Sequence, residues 1–168
     1  IYLANTYEDI VYAVSAGNES VPEWNENLVS PGRVLYFVKE LKKNTNSLVT
    51  YCENYIYWTN KLVDVAKEVD IISVHSYPVW VGTPIKEAVH RCIDEYQMIT
   101  DLYPQKPVII TETGWPTRSN GQGISKDFAN QANQLYYYDQ IQKWTCRRRS
   151  LMAGGRSATS VLPHVVCF

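Results

Sequence analysis

The sequence predicts an α/β fold built on a parallel sheet, and three observations carry the prediction. Short apolar runs alternate with helix-periodic segments along the first 145 of the 168 residues. The runs are solid, "VDIISVHSYP" and "KPVIITE" among them, without the in-out alternation of a sheet wet on one face. Strands of that kind belong to parallel sheets covered by helices. Polar residues gather where each run ends, the edge at which α/β folds hold their ligands. A doubly wound sheet and a (β/α)8 barrel both satisfy this pattern.

The elements follow in order. "IVYAVSAGNES" (10–20) is a β-rich run ending in Gly-Asn-Glu. Residues 30–44 read as a helix: a Ser cap, a Pro in the first turn, and apolar side chains at 34, 35, 38 and 41. "SLVTYCE" (47–53) is a strand, and 59–68 a helix with Leu62, Val63 and Ala66 on one face. Residues 69–78 are a strand, followed by the strongest helix, 83–104, with a Thr cap, Pro84 and a long apolar stripe that includes Cys92. Residues 106–112 are a strand, and 125–144 a helix after a polar, Gly-rich loop.

Composition narrows the function classes. Hydrophobic residues at 45% and charged residues at 20% are normal for a soluble globular domain, and the length suffices for one sizeable core. The net charge of −1 gives no reason to expect nucleic acid or an anionic membrane as partner. No run is long and apolar enough to span a bilayer. Of Cys52, Cys92, Cys146 and Cys167, none forms a C-x-x-C pair or stands at a zinc spacing from a His, so no metal is expected. Cys92 reads as a small buried core residue. No Gly-rich phosphate loop follows a strand, since "GQG" at 121–123 is too short. A dinucleotide is therefore disfavoured and no cofactor is expected.

The polar strand ends hold Asn18 and Glu19, then Glu53, then His75 and Tyr77, then Glu112. A carboxylate at the end of an apolar strand is costly to bury without a partner. On a barrel, Glu19 and Glu112 would face each other across the mouth. Two carboxylates across a cleft suit glycoside hydrolysis: one gives a proton to the leaving oxygen while the other attacks or stabilises the anomeric carbon. Tyr77 and His75 are placed to orient Glu112. Glu53 suits either a sugar hydroxyl or a structural ion pair. Trp80 and Trp115 lie just past strand ends, where flat rings fit the apolar faces of glucose units.

Two motifs carry a family resemblance. "VSAGNES" resembles the Asn-Glu pair ending the fourth strand in the large clan of retaining (β/α)8 glycosidases. "VIITETGWPT", with "SVHSYPVW" upstream, is similar to the nucleophile strand of glycoside hydrolase family 17, whose members cleave or rearrange β-1,3-glucans. The resemblance covers about residues 1–145. It implies a partial TIM barrel, about strands four to seven with their helices. It implies Glu19 as acid/base, Glu112 as nucleophile and Asn18 as a ligand of the sugar 2-hydroxyl. The implied activity is a retaining hydrolase of glucan β-1,3-glucosidase type. The alternatives are a β-1,3-glucanosyltransferase and an inactive carbohydrate-binding remnant. The implied partner is a β-glucan polysaccharide or oligosaccharide, and the implied location extracellular or cell wall.

The tail departs from this pattern. The first 145 residues hold 12 basic and 17 acidic groups, a net of −5, whereas residues 146–168 hold four Arg and no acid. Relatives would place an apolar eighth strand here. The expectation is therefore a catalytic domain over 1–145 and an atypical basic tail over 146–168, frameshifted or disordered. The start at Ile1 reads as internal, with any signal peptide lying upstream. An incomplete barrel is expected to have little or no activity on its own.

Overall fold

The computed structural model describes residues 1–153. They divide into two compact units: Ile1–His75 with Ile99–Val108, and Ser76–Met98 with the chain from Ile109 onward. Along the chain the elements are α1 (Tyr2–Thr6), β1 (Ala13–Asn18), α2 (Pro31–Asn44), β2 (Leu48–Asn54), α3 (Tyr55–Trp58), α4 (Val63–Glu68) and β3 (Ile72–His75). A 3-10 turn (Pro78–Val81), α5 (Ile85–Leu102), β4 (Val108–Glu112) and α6 (Gln131–Ala153) complete the series.

The strand order is β1-β2-β3-β4, and β2 pairs in parallel with both β1 and β3. Sequence neighbours are thus sheet neighbours throughout. A doubly wound sheet reverses its order at a switch point. The unbroken order is that of strands wound in one direction, as in a (β/α)8 barrel.

In the first unit, the β1–β2 register runs Ala13↔Leu48, Val14↔Val49, Ser15↔Thr50 and then jumps to Asn18↔Cys52. One extra residue is therefore accommodated in β1, and Gly17 absorbs it at φ +144°. A Cβ there would meet the Tyr51 ring at 3.2 Å, so the bulge also needs the glycine's missing side chain. Ser30 caps α2 by accepting from Arg33 N, Pro31 opens it, and Val34 and Val38 face inward. Lys42, at the far end of α2, reaches Glu68 O at 2.9 Å and Asp70 Oδ1 at 2.7 Å, tying α2 to the turn after α4. The helix expected over 59–68 is shortened to Val63–Glu68, and a separate short turn, α3, precedes it, started by the Asn54 side chain accepting from Ile56 N. Val49, Tyr51, Trp58, Ile72 and Val74 form the core, and a buried side chain of this size contributes about 1.5–3 kcal/mol.

In the second unit, Ala88 and Cys92 of α5 are fully buried, as the stripe predicts. The expected strand 69–78 shortens because Pro78 opens a 3-10 turn, which Gly82 ends at φ +69°. The helix expected from 125 begins at Gln131. Residues 125–130 instead turn on Ser125 O, and Asn130 Oδ1 caps Asn133 N at 2.8 Å. α6 continues past residue 145 to Ala153, and the remainder of the basic tail lies outside the described residues. No helix among the described residues is long and apolar enough to cross a membrane.

Candidate active site

In the first unit the polar groups cluster at the C-terminal ends of β1, β2 and β3. Asn18 closes β1 and is exposed. Glu19 follows it at φ +44°, the left-handed region that L-residues avoid. Its backbone is fixed on both sides: Glu19 N donates to Cys52 O at 3.0 Å, and Asn25 Nδ2 donates to Glu19 O at 2.5 Å. Its side chain is 22% exposed, and Oε1 lies 2.8 Å from His75 Nδ1. His75 is fully buried. The sequence reads His75 as placed to orient Glu112; its Nδ1 engages Glu19, which stands 56 residues away in the chain.

Glu53 is also fully buried. Its Oε2 accepts from Tyr51 Oη at 2.9 Å and from Val21 N at 3.4 Å, and its Oε1 accepts from Asn54 N at 2.9 Å. Neither the sugar contact nor the ion pair expected of Glu53 describes this arrangement, because all three partners are neutral protein groups. Burial pushes its carboxyl above the usual range, against the pull of these donors. Tyr51 was missed by the sequence reading. It stands two residues before Glu53 on one strand, hence on the same face, and that spacing was the available signal. Burial raises the Tyr51 phenol in turn.

In the second unit Glu112 ends β4, half-buried, and its Oε2 accepts from Tyr77 Oη at 3.0 Å. Ser76 N donates to Glu112 O at 3.0 Å, so the backbone that carries Tyr77 is stitched to the carboxylate's own residue. Behind it, Ser76 Oγ donates to Glu95, which Arg91 also engages, and the buried Thr113 hydroxyl lies 2.5 Å from Tyr137 Oη. Burial pushes the Cys92 thiol up, consistent with an inert core cysteine.

A cleft of about 550 Å³ opens beside these groups, with Tyr77, Trp80, Trp115 and Arg118 in its wall. The two tryptophans differ. Trp80 is 60% exposed and presents its ring to the cleft. Trp115 is 4% exposed; it stacks on Phe128, tilts against Tyr137 and donates Nε1–H to Phe128 O at 2.7 Å. Trp115 is thus mainly a core residue with one edge in the wall. Trp80 leans on the loop that follows β4: a Cβ on Gly123, which sits at φ +75°, would come within 2.8 Å of Trp80 Cζ3.

In each unit a strand-end carboxylate is held by a hydrogen-bonding neighbour, Glu19 by His75 and Glu112 by Tyr77, and the C-terminal strand ends are where α/β enzymes hold their ligands. Known proteins point the same way. The chain belongs to the BtgE/BtgC glycoside hydrolase domain family, whose model matches residues 2–153. It is similar to the cell surface mannoprotein MP65 of Candida albicans, 27% identical over 124 residues, which is 70% of this chain and 32% of that protein. In fold it resembles an endo-laminarinase from Formosa, with a TM-score of 0.72, 23% identity, and coverage of 88% of this chain and 49% of that one. It also resembles a glycoside hydrolase family 17 β-1,3-glucanosyltransferase from Rhizomucor miehei, with a TM-score of 0.65, 20% identity, and coverage of 83% and 47%. The chain spans about half the length of these solved structures and about a third of the mannoprotein.

Proposed function

We propose that the chain carries the two catalytic carboxylates of a retaining glycoside hydrolase acting on β-1,3-glucan. The observation that carries the reading is the matched setting of Glu19 and Glu112. Each ends or follows a parallel strand, each is partly open, and each has a side-chain partner that orients it, His75 for Glu19 and Tyr77 for Glu112. Family membership and the named activities of the two solved structures support the substrate class.

In the first step a Glu112 oxygen attacks the anomeric carbon. The glycosidic C–O bond breaks, and Glu19 gives its proton to the departing sugar oxygen. In the second, Glu19 as carboxylate takes a proton from water, whose oxygen attacks the same carbon and releases Glu112. Two inversions leave the configuration retained. Asn18 is read as the donor to the 2-hydroxyl, a contact that strengthens in the transition state. Trp80, with the edge of Trp115, offers a flat surface to a glucose face.

A β-1,3-glucanosyltransferase is the second reading, favoured by the similarity to the Rhizomucor miehei enzyme and by a cleft with room for an acceptor sugar. It differs only in what resolves the glycosyl-enzyme, a sugar hydroxyl in place of water.

The experiment is Glu112→Gln in the full-length protein, assayed on laminarin with laminarioligosaccharide binding measured alongside. Lost turnover with retained binding is the expected result. Unchanged turnover would overturn the assignment, and absence of turnover in the unsubstituted protein would favour a carbohydrate-binding remnant.

A further inference from the structure

We infer that Tyr51 and Glu53 are positioning residues that hold the backbone of Glu19 in its left-handed conformation. The inference rests on the reading of Glu19 as acid/base and extends it to how that group is aimed. Among the described non-glycine residues, only Glu19 has a positive φ, +44°. A side chain in that region persists only where its surroundings over-determine it. The surroundings here are specific. Tyr51 Oη accepts from Ser20 N at 3.0 Å, so the peptide immediately after Glu19 is held by the phenol. Ser20 Oγ lies 2.9 Å from the same oxygen, and Tyr51 Oη donates to Glu53 Oε2 at 2.9 Å. With Ser20 Oγ as donor, the phenol's two lone pairs and one hydrogen are all engaged, which fixes the direction of every bond.

Glu53 completes the clamp from the other side, because its Oε2 also faces Val21 N at 3.4 Å. One buried carboxylate and one buried phenol therefore grip the two peptide N–H groups after Glu19. Gly17 lets the same strand pass close over the Tyr51 ring. A substitution that frees Ser20 N releases the turn. Residue 19 can then relax to negative φ and swing its carboxylate off His75.

The test compares Gly and Ala at position 19 on the full chain, with and without the phenol, by thermal unfolding. Both Glu19→Gly and Glu19→Ala remove the His75 bond, but only Gly accepts positive φ freely. With Tyr51 present, the Gly variant is expected to unfold about 2–4 °C above the Ala variant. With Tyr51→Phe the gap should close or change sign, because residue 19 is no longer held. Packing alone would leave the gap equal in both backgrounds, and that result overturns the inference. If the Tyr51→Phe chain does not fold, Glu53→Gln, which turns one acceptor into a donor, should narrow the same gap; an unchanged gap there also overturns it. In turnover, Tyr51→Phe is expected to lower kcat on laminarin at least tenfold with KM little changed. A closed gap without any glucan turnover in the parent protein would sink the glycosidase reading while leaving the clamp standing.

Discussion

His75 Nδ1 stands 2.8 Å from Glu19 Oε1, with the imidazole sealed from solvent and the carboxylate one-fifth open. A buried ring cannot follow a moving side chain, so it fixes where the Glu19 carboxyl group points. His75→Ala is expected to lower kcat on laminarin by about 10²-fold, the scale of a misplaced catalytic group. With an aryl glucoside that departs as dinitrophenolate, a leaving group needing no proton, the loss of the first step should shrink to tenfold or less. An equal loss on both substrates would deny that His75 acts through Glu19.

Tyr77 holds the other carboxylate, 3.0 Å from its hydroxyl. Tyr77→Phe keeps the ring in the cleft wall and removes only the donor. The expected loss in kcat is again about 10²-fold, but it should persist on the dinitrophenyl substrate because the attacking group is still required. Burst kinetics with that substrate separates the two variants.

Trp80 and Trp115 should part company under alanine substitution. Trp80→Ala removes a largely exposed ring, so the unfolding midpoint should move little while laminarioligosaccharide affinity falls about five- to twentyfold, on the order of one to two kcal/mol for a lost ring contact. Trp115→Ala empties a buried site against Phe128 and Tyr137 and should cost about 3–5 kcal/mol of stability. Isothermal titration and thermal unfolding read the two effects independently.

Glu53 makes stability depend on pH in an unusual sense. Its carboxyl is raised in the folded state, chiefly by burial, so the folded chain keeps this proton to higher pH than the unfolded chain does. Stability attributable to Glu53 is full below the unfolded carboxyl value, about 4.3, and is lost as pH climbs from there through the raised folded value. Glu53→Gln removes this dependence. The unfolding midpoint of the parent minus that of the variant should therefore decrease between pH 4 and pH 7, and an increase would contradict the burial argument.

Much of this was legible in the sequence because it is local. Solid apolar runs, the Ser30 cap with Pro31, and the stripe carrying Ala88 and Cys92 gave the strand and helix order, with boundaries off by a few residues where Asn54 and Pro78 start short turns of their own. The strand-end carboxylates were visible for the same reason. What was not visible depends on distances across the chain. Glu19 and His75 are 56 residues apart, and no pattern in the sequence tells that the imidazole meets this carboxylate. Glu53 looked like the other strand-end acids, yet the neighbouring Tyr51 and Val21 enclose it. Trp115 looked like a twin of Trp80 because flanking residues do not report which way a ring turns after a strand.

The close approach of Gly123 to Trp80 ties a loop to a platform. Any methyl group at 123 would press on the indole that the cleft displays, so the two positions are not free to drift separately. In an alignment of the family they should change together, with bulk at one matched by a smaller ring or none at the other. Grafting this loop between homologues to alter chain-length preference would have to move both residues as a set.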